Sequence, residues 1–161
     1  LWSDVDAYIE EVLGEDDAVL VDALTLAHEA GLPPVSVSSA QGRFLATLVQ
    51  MIGARYILEI GTLAGCSTIH LARAAGEQGE VVTIEYDSQH AQIAKTNFER
   101  AGLAERIEVR IGAAATLLPV IHEELRPKFA FVFIDAGQTN NALSAKWHLR
   151  LTKPGGAVDV D

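Results

Sequence analysis

The chain has 161 residues, 49% of them hydrophobic, which suffices for one domain with a buried core. Its formal net charge of −10 argues against a nucleic-acid partner or an anionic membrane surface, because phosphate contacts need clustered Lys and Arg. No apolar run approaches the ~18 residues of a membrane span, and no signal peptide is predicted. The single cysteine, Cys66, cannot form an internal disulfide, which is typical of a cytoplasmic protein.

The N-terminal third of the chain is predicted to be helical. Amphipathic spacing predicts one helix over Leu1–Leu13 and a second over Ala18–Ala30. After a loop, Ser38 or Ser39 is expected to cap a third helix over Gln41–Ile52. We expect these helices to cover the sheet or to contribute to a homodimer interface.

Strand and helix patterns alternate through the rest of the chain, and KPGG at residues 153–156 predicts a turn. The predicted strands are Tyr56–Ile60, Val81–Glu85, Ile107–Ile111, Phe129–Ile134 and Ala157–Val160. The predicted helices are Cys66–Ala75, Ser88–Ala101, Ala115–Leu125 and Leu143–Leu151. This alternation predicts a doubly wound α/β fold with a mostly parallel sheet and helices on both faces. We expect a single domain over residues 1–161, with helices over 1–52 and an α/β core over 53–161.

The stretch YILEIGTLAGCST, residues 56–68, has the order strand, glycine turn, helix. Gly61 and Gly65 permit a tight turn, and the N–H groups of the following helix can bind an anion or a polar ligand. A second apolar strand ends at Glu85, where a carboxylate can accept hydrogen bonds from ribose hydroxyls. These features indicate an adenosine-containing ligand. The glycine spacing is not GxGxxG, which makes a dinucleotide a poorer candidate.

The series LEIGTLAGCST, VVTIEYD, AGLAERIEVRIG, FVFIDA and LTKPGG resembles class I S-adenosylmethionine-dependent methyltransferases. Within that class it is similar to the metal-dependent O-methyltransferases of the catechol and caffeoyl-CoA type. The resemblance runs from about Val37 to Asp161 and implies a Rossmann-like methyltransferase fold. In that family the sheet continues into a C-terminal antiparallel hairpin, which we expect this sheet to lack because no residues follow Asp161.

The resemblance implies S-adenosylmethionine as the methyl donor. Val37 matches a position that contacts the donor, while Gly61 and Thr62 would approach it through backbone atoms. The counterpart of Glu59 lies behind the glycine turn and helps to orient the donor's amino-acid end. Many relatives carry Asp where this chain has Ala113, so backbone contacts are expected there. The other expected donor contacts are Gly65, Ser67, Glu85, Ala114 and Asp135.

Asp135 and Asp161 end the fourth and fifth predicted strands. Carboxylates on adjacent strand ends can share a divalent cation such as Mg²⁺, and the resemblance implies that this pair holds the metal. Asp159 is a second-choice ligand. The family usually has a Lys, acting as general base, three residues after the first aspartate. This chain has Gln138 there, and an amide cannot accept a proton at ordinary pH.

The sequence therefore predicts an O-methyltransferase acting on a hydroxyl of a small catechol-like or phenolic acceptor. An alternative is a catalytically impaired homologue that binds the donor or dimerises, and Gln138 is its best support. A nucleotide-cofactor enzyme such as an NAD-dependent dehydrogenase is a further alternative. We interpret Cys66, Trp147 and the histidines, His90 included, as packing or surface residues.

Overall fold

The computed structural model describes residues 2–14, 17–125, 128–135, 147 and 150–160. The helices are α1 Trp2–Leu13, α2 Ala18–Glu29, α3 Ser39–Met51, α4 Cys66–Ala74, α5 Ser88–Arg100 and α6 Ala114–Leu125. The strands are β1 Tyr56–Ile60, β2 Glu80–Glu85, β3 Ile107–Ile111, β4 Phe129–Ile134 and β5 Thr152–Val160. A single 3₁₀ turn, Ala104–Arg106, precedes β3. Among the described residues, no helix is long and apolar enough to cross a membrane.

The five strands form one parallel sheet in the order β3-β2-β1-β4-β5, which confirms the predicted fold class. The chain first adds β2 and β3 on one side of β1 and then adds β4 and β5 on the other. The switch in direction therefore falls between β1 and β4. Ligands of open α/β sheets bind at the carboxyl ends of the strands at such a switch point.

Alternate residues of the central strands face the two hydrophobic layers that enclose the sheet. Ile57, Val81 and Phe133 face one layer, which includes buried residues of α2 to α5. Leu58 and Ile84 face the other layer, which includes Leu118 and Ile121 of α6. All six residues of β4 are buried, as expected for a strand covered on both faces.

One detail of the predicted secondary structure is wrong. The strand β5 begins at Thr152, so residues 153–156 belong to it and do not precede it. The partner of Phe129 is Thr152 while the partner of Phe131 is Ala157, so β5 holds three extra residues as a bulge. The helix α4 begins at Cys66 as predicted, with Gly65 at its N-cap, so Ser67 lies within its first turn.

Other expectations agree with the structure or lie beyond its described part. Ser38 caps α3 in a capping box with Gln41. Trp147 packs against the α6 side of the core, with its ring centroid 5.7 Å from that of His122. Most of the predicted helix Leu143–Leu151 lies outside the described residues.

The glycine turn between β1 and α4 is braced by α5. The ring of Phe98, which is 1% exposed, fills the space beside Gly65, whose φ of 86° is left-handed. The neighbouring Asn97 donates a hydrogen bond from Nδ2 to the carbonyl of Ala64 at 2.9 Å. The turn therefore has a fixed backbone, and a side chain at position 65 would meet both conformational strain and a buried ring.

We expect Gly65→Ala to destabilise the fold more than the matched variant Gly102→Ala. Both glycines have positive φ, so both variants carry the left-handed strain of ~1–2 kcal/mol. A Cβ at position 65 would lie 2.3 Å from Phe98 Cε1, whereas a Cβ at position 102 meets nothing within 4 Å. Overpacking should therefore add roughly 1–3 kcal/mol to the Gly65→Ala loss in urea unfolding. Equal losses in the two variants would contradict this packing argument.

Candidate functional site

A cavity of about 560 Å³ opens at the carboxyl ends of β1, β2 and β4. This volume lies within the usual range for small-molecule sites. Its walls come from the loop before α3, the glycine turn, the end of β2 with the start of α5, the loop after β3 and the end of β4. The lining residues are Val35, Ser36, Val37, Ile60, Gly61, Thr62, Leu63, Cys66, Ser67, Ile84, Glu85, Tyr86, His90, Gly112, Ala113, Ala114, Ala115 and Asp135.

Glu85 joins β2 to the glycine turn. Its Oε2 accepts hydrogen bonds from the backbone N–H groups of Thr62 at 3.1 Å and Leu63 at 2.8 Å. Its Oε1 accepts a hydrogen bond from the N–H of Asp87 at 2.9 Å. Leu63 has a left-handed φ of 49°, which is uncommon for a residue other than glycine. The carboxylate of Glu85 therefore holds a strained segment of the cavity wall in place, and it is itself only 7% exposed.

Glu59 lies behind this wall, in the middle of the sheet, and is fully buried. Its Oε2 accepts hydrogen bonds from the hydroxyl groups of Thr68 at 2.5 Å and Thr83 at 2.7 Å. Its Oε1 is buried without a hydrogen-bond partner among the described residues. An unpaired buried acceptor is costly, so such groups are uncommon in folded proteins and point to a missing partner.

Burial raises the pKa of Glu59 from 4.5 to about 7. The hydroxyl groups of Ser67, Thr68 and Thr83 lower this pKa, and the negative charge of Asp135 raises it further. Near neutral pH, Glu59 is therefore divided between its charged and neutral forms.

Most of the donor-contact residues predicted from the sequence line this one cavity. They are Val37, Gly61, Thr62, Ser67, Glu85, Ala113, Ala114 and Asp135. Glu59 and Gly65 do not line it: the first lies behind the wall, and the second supports the turn against Phe98. Gln138 and Asp161 lie outside the described residues.

Sequence reasoning missed two cavity residues that lie beside Glu85. Tyr86 directly follows it and is 81% exposed. His90 was interpreted as a packing or surface residue, but it lines the cavity with Nδ1 3.7 Å from Glu85 Oε1. A signal existed for it, because α5 begins at Ser88 and side chains in a first helical turn point back toward the preceding strand end.

The proposed metal site is described in part. Asp135 lies at the carboxyl end of β4, half-buried and on the cavity wall. Asp159 of β5 pairs with Phe133, which lies two residues before Asp135. It lines a separate cavity of about 200 Å³ together with Phe44 and Val160. The described part of the chain contains no group of three His, Cys, Asp or Glu side chains able to hold a metal ion.

The fold and the cavity together define an α/β protein whose switch-point site suits an adenosine-containing ligand. Comparison with known proteins defines the family. The sequence profile of the O-methyltransferase family matches residues 10–161. The chain belongs to this family, which confirms the resemblance and the enzyme class inferred from the sequence.

Three relatives illustrate the similarity. A catechol O-methyltransferase of Mycobacterium tuberculosis is 47% identical over 158 residues, which is 98% of this chain and 70% of the relative. A catechol O-methyltransferase of Niastella koreensis is 45% identical, over 100% of this chain and 73% of the relative. The structure of an O-methyltransferase from Bacillus cereus in complex with SAH superposes with a TM-score of 0.92 at 47% identity, covering 96% of this chain and 70% of that one.

The raised pKa of Glu59 predicts that its ionisation opposes folding. The folded state holds this proton more tightly than the unfolded chain, so stability should fall as pH rises from about 4.5 to about 7. The loss is roughly 3 kcal/mol at 1.36 kcal/mol per pKa unit. Glu59→Gln cannot ionise and should escape this loss. We expect the variant to be more stable than the parent chain at pH 8 and close to it at pH 4, measured by urea unfolding.

Glu80→Gln is the control for this comparison, because Glu80 begins the adjacent strand β2 and is exposed. It should shift the pH dependence of stability little. If the parent chain and Glu59→Gln lose stability in parallel between pH 4 and pH 8, the ionisation of Glu59 does not act on folding.

Proposed function

We propose that the 560 Å³ cavity binds S-adenosylmethionine and that the chain transfers its methyl group to a hydroxyl of a small catechol-like or phenolic acceptor. The observation that carries the proposal is the pairing of two acids around one glycine turn. Glu85 lies at the end of β2, where its carboxylate can accept hydrogen bonds from a ribose. Glu59 lies behind the turn and has a buried oxygen without a hydrogen-bond partner among the described residues. The relatives named catechol O-methyltransferase, and the relative solved with SAH, support the same reading.

The cavity residues fit the parts of such a donor. A ribose diol can donate to Glu85, and Tyr86 and Ala113, which also line the cavity, are available to contact the adenine. Through Ser67, which lines the cavity, the ammonium of the amino-acid end would compensate the unpaired Glu59 Oε1 behind the wall. The backbone of Gly61 and Thr62 passes along the cavity without bulky side chains between the two ends.

The bound donor supplies an electrophilic methyl group, and the chain's residues fix its direction. Catalysis by this site rests mainly on proximity and orientation, because the attacking oxygen and the methyl group must meet in line. Asp135 lies on the cavity wall at the switch point, where an acceptor can approach the donor. We propose that Asp135 and Asp161 hold a divalent cation such as Mg²⁺, which would act on the acceptor hydroxyl as a Lewis acid.

Gln138 bears on the same reaction. Because an amide cannot serve as a general base, deprotonation of the acceptor would depend on the metal. General base catalysis is typically worth ~10²–10⁴-fold, so turnover is expected to be slower than with a Lys at this position. The alternative, a donor-binding homologue that does not turn over, makes a different prediction for the same assay.

The expected homodimer and cytoplasmic location stay predictions. Exposed apolar side chains on α1 support a dimer: Val5 is 41%, Tyr8 66% and Val12 61% exposed. A surface of this kind is typical of a contact between subunits.

Calorimetric titration with S-adenosylhomocysteine, with NAD as the control ligand, tests the donor assignment. We expect micromolar binding of the first and none of the second. Glu85→Ala should weaken the binding by about 1–3 kcal/mol, the scale of a hydrogen bond to a charged group. Glu80→Ala removes the same side chain from the exposed start of β2 and should leave the affinity unchanged. Full affinity in a folded Glu85→Ala variant would refute the ribose assignment.

Methyl transfer to a panel of catechols, with Mg²⁺ or with a chelator, tests the metal. We expect turnover with Mg²⁺ and its loss on chelation. Asp135→Asn should reduce metal-dependent turnover at least tenfold, whereas Asp159→Asn, on the 200 Å³ cavity, should retain it. Tight binding of S-adenosylhomocysteine with no turnover on any catechol would favour the donor-binding homologue.

A further inference from the structure

A chain of hydroxyl groups connects the two acids of the site. Thr62 and Thr83 are 2% and 0% exposed, and their Oγ1 atoms lie 2.6 Å apart. Thr83 Oγ1 donates to Glu59 Oε2 at 2.7 Å. When Glu59 is ionised it can only accept, so the Thr83 hydroxyl gives its one proton to Glu59 and must accept from Thr62. In that state the Thr62 hydroxyl donates to Thr83, and the Thr83 hydroxyl donates to Glu59.

The same Thr62 holds the other acid. Its backbone N–H donates to Glu85 Oε2 at 3.1 Å, while its side chain points to Thr83. Thr62 is thus fixed from two sides, by a carboxylate through its N–H and by a hydroxyl through its Oγ1. Any movement of its backbone changes both contacts at once.

We propose that Thr83 is a positioning residue. Through Thr62, it holds the carboxyl groups of Glu59 and Glu85 at a fixed position relative to each other, so that one donor molecule can interact with both. The inference rests on the proposed function, since it assigns the two acids to the two ends of the donor. Thr83 does not line the cavity, so it would act on the donor only through its neighbours. Its hydroxyl links the carboxyl of Glu59 to Thr62, the residue whose N–H binds Glu85.

The position of Thr83 is unusual for a residue with a purely structural role. It occupies the middle of β2, where its neighbours Val82 and Ile84 are apolar and buried. A valine would fill the same space without a polar group to satisfy. The Thr83 hydroxyl instead makes two hydrogen bonds, one with Thr62 and one with Glu59. Its removal leaves the Thr62 hydroxyl without this acceptor and Glu59 Oε2 without one of its two donors.

The test compares Thr83→Val, which keeps the shape and loses the hydroxyl, with Thr83→Ser, which keeps the hydroxyl. Two ligands separate the ends of the site: S-adenosylhomocysteine has the amino-acid end, and 5′-methylthioadenosine lacks it but retains the ribose. We expect Thr83→Val to weaken the first at least tenfold and the second at least threefold, and Thr83→Ser to stay within twofold of the parent for both. Thr96→Val, at an exposed hydroxyl on α5, is the matched control and should change neither.

A structural role would lower the melting temperature in Thr83→Val without changing either affinity measured on the folded protein, and that result would overturn the proposal. Loss confined to S-adenosylhomocysteine would overturn the coupling, because Thr83 would then serve Glu59 alone. A Thr83→Ser variant as weak as Thr83→Val would do the same, since the hydroxyl would not be the active feature. If the parent chain fails to bind S-adenosylhomocysteine, the proposed function fails before this inference is reached.

Thr62→Val provides the second variant, for use if Thr83→Val does not fold. It retains the N–H that donates a hydrogen bond to Glu85 and removes only the Thr62 hydroxyl, which is hydrogen-bonded to Thr83. The proposal expects it to weaken the binding of both ligands. Where Thr83→Val folds, the double variant should lose no more affinity than either single variant, because the two hydroxyls act as one unit. Additive losses in the double variant would overturn the proposed link.

Discussion

The contact between Glu85 and the two N–H groups of Thr62 and Leu63 is the constraint on which the site depends. These N–H groups belong to a turn with left-handed residues at Gly61, Leu63 and Gly65, a conformation that needs outside support. Glu85 supplies that support from the neighbouring strand. Because the parallel register pairs Ile60 with Ile84, the end of β2 reaches the turn without further rearrangement. The ladder between β1 and β2 therefore decides where the turn lies.

The buried carboxyl of Glu59 behind the turn reduces the stability of the fold. A carboxyl in the middle of a sheet loses its hydration, and its two hydroxyl partners restore only part of it. An apolar residue in place of Glu59 would pack without this penalty. A ligand that brings a positive charge to Oε1 would remove the remaining deficit, so part of its binding free energy would come from relieving a cost already present in the fold.

Much of the fold could be predicted from the sequence because the central strands are continuous apolar runs with clear ends. The bounds of β1, β3 and β4 agree with the prediction. The start of β5 could not be predicted, because KPGG is typical of a turn, whereas here it forms a bulge between Thr152 and Ala157, which pair with β4. The cavity position of His90 could have been predicted, because the start of α5 at Ser88 agrees with the prediction and places His90 in the first turn, beside the end of β2. The link between Thr62 and Thr83 depends on strand register, since the two residues are 21 positions apart.

The turn is held from α5 as well as from β2, and the two supports act on different atoms. Glu85 binds the N–H groups at the start of the turn, while Asn97 binds the carbonyl of Ala64 and Phe98 packs against Gly65. Because α5 directly follows β2, both supports come from one continuous strand and helix. A shift of this unit would move the acid, the amide and the ring together. The geometry of the cavity wall is therefore set by how β2 and α5 pack on β1 and α4, and the glycines permit that geometry without imposing it.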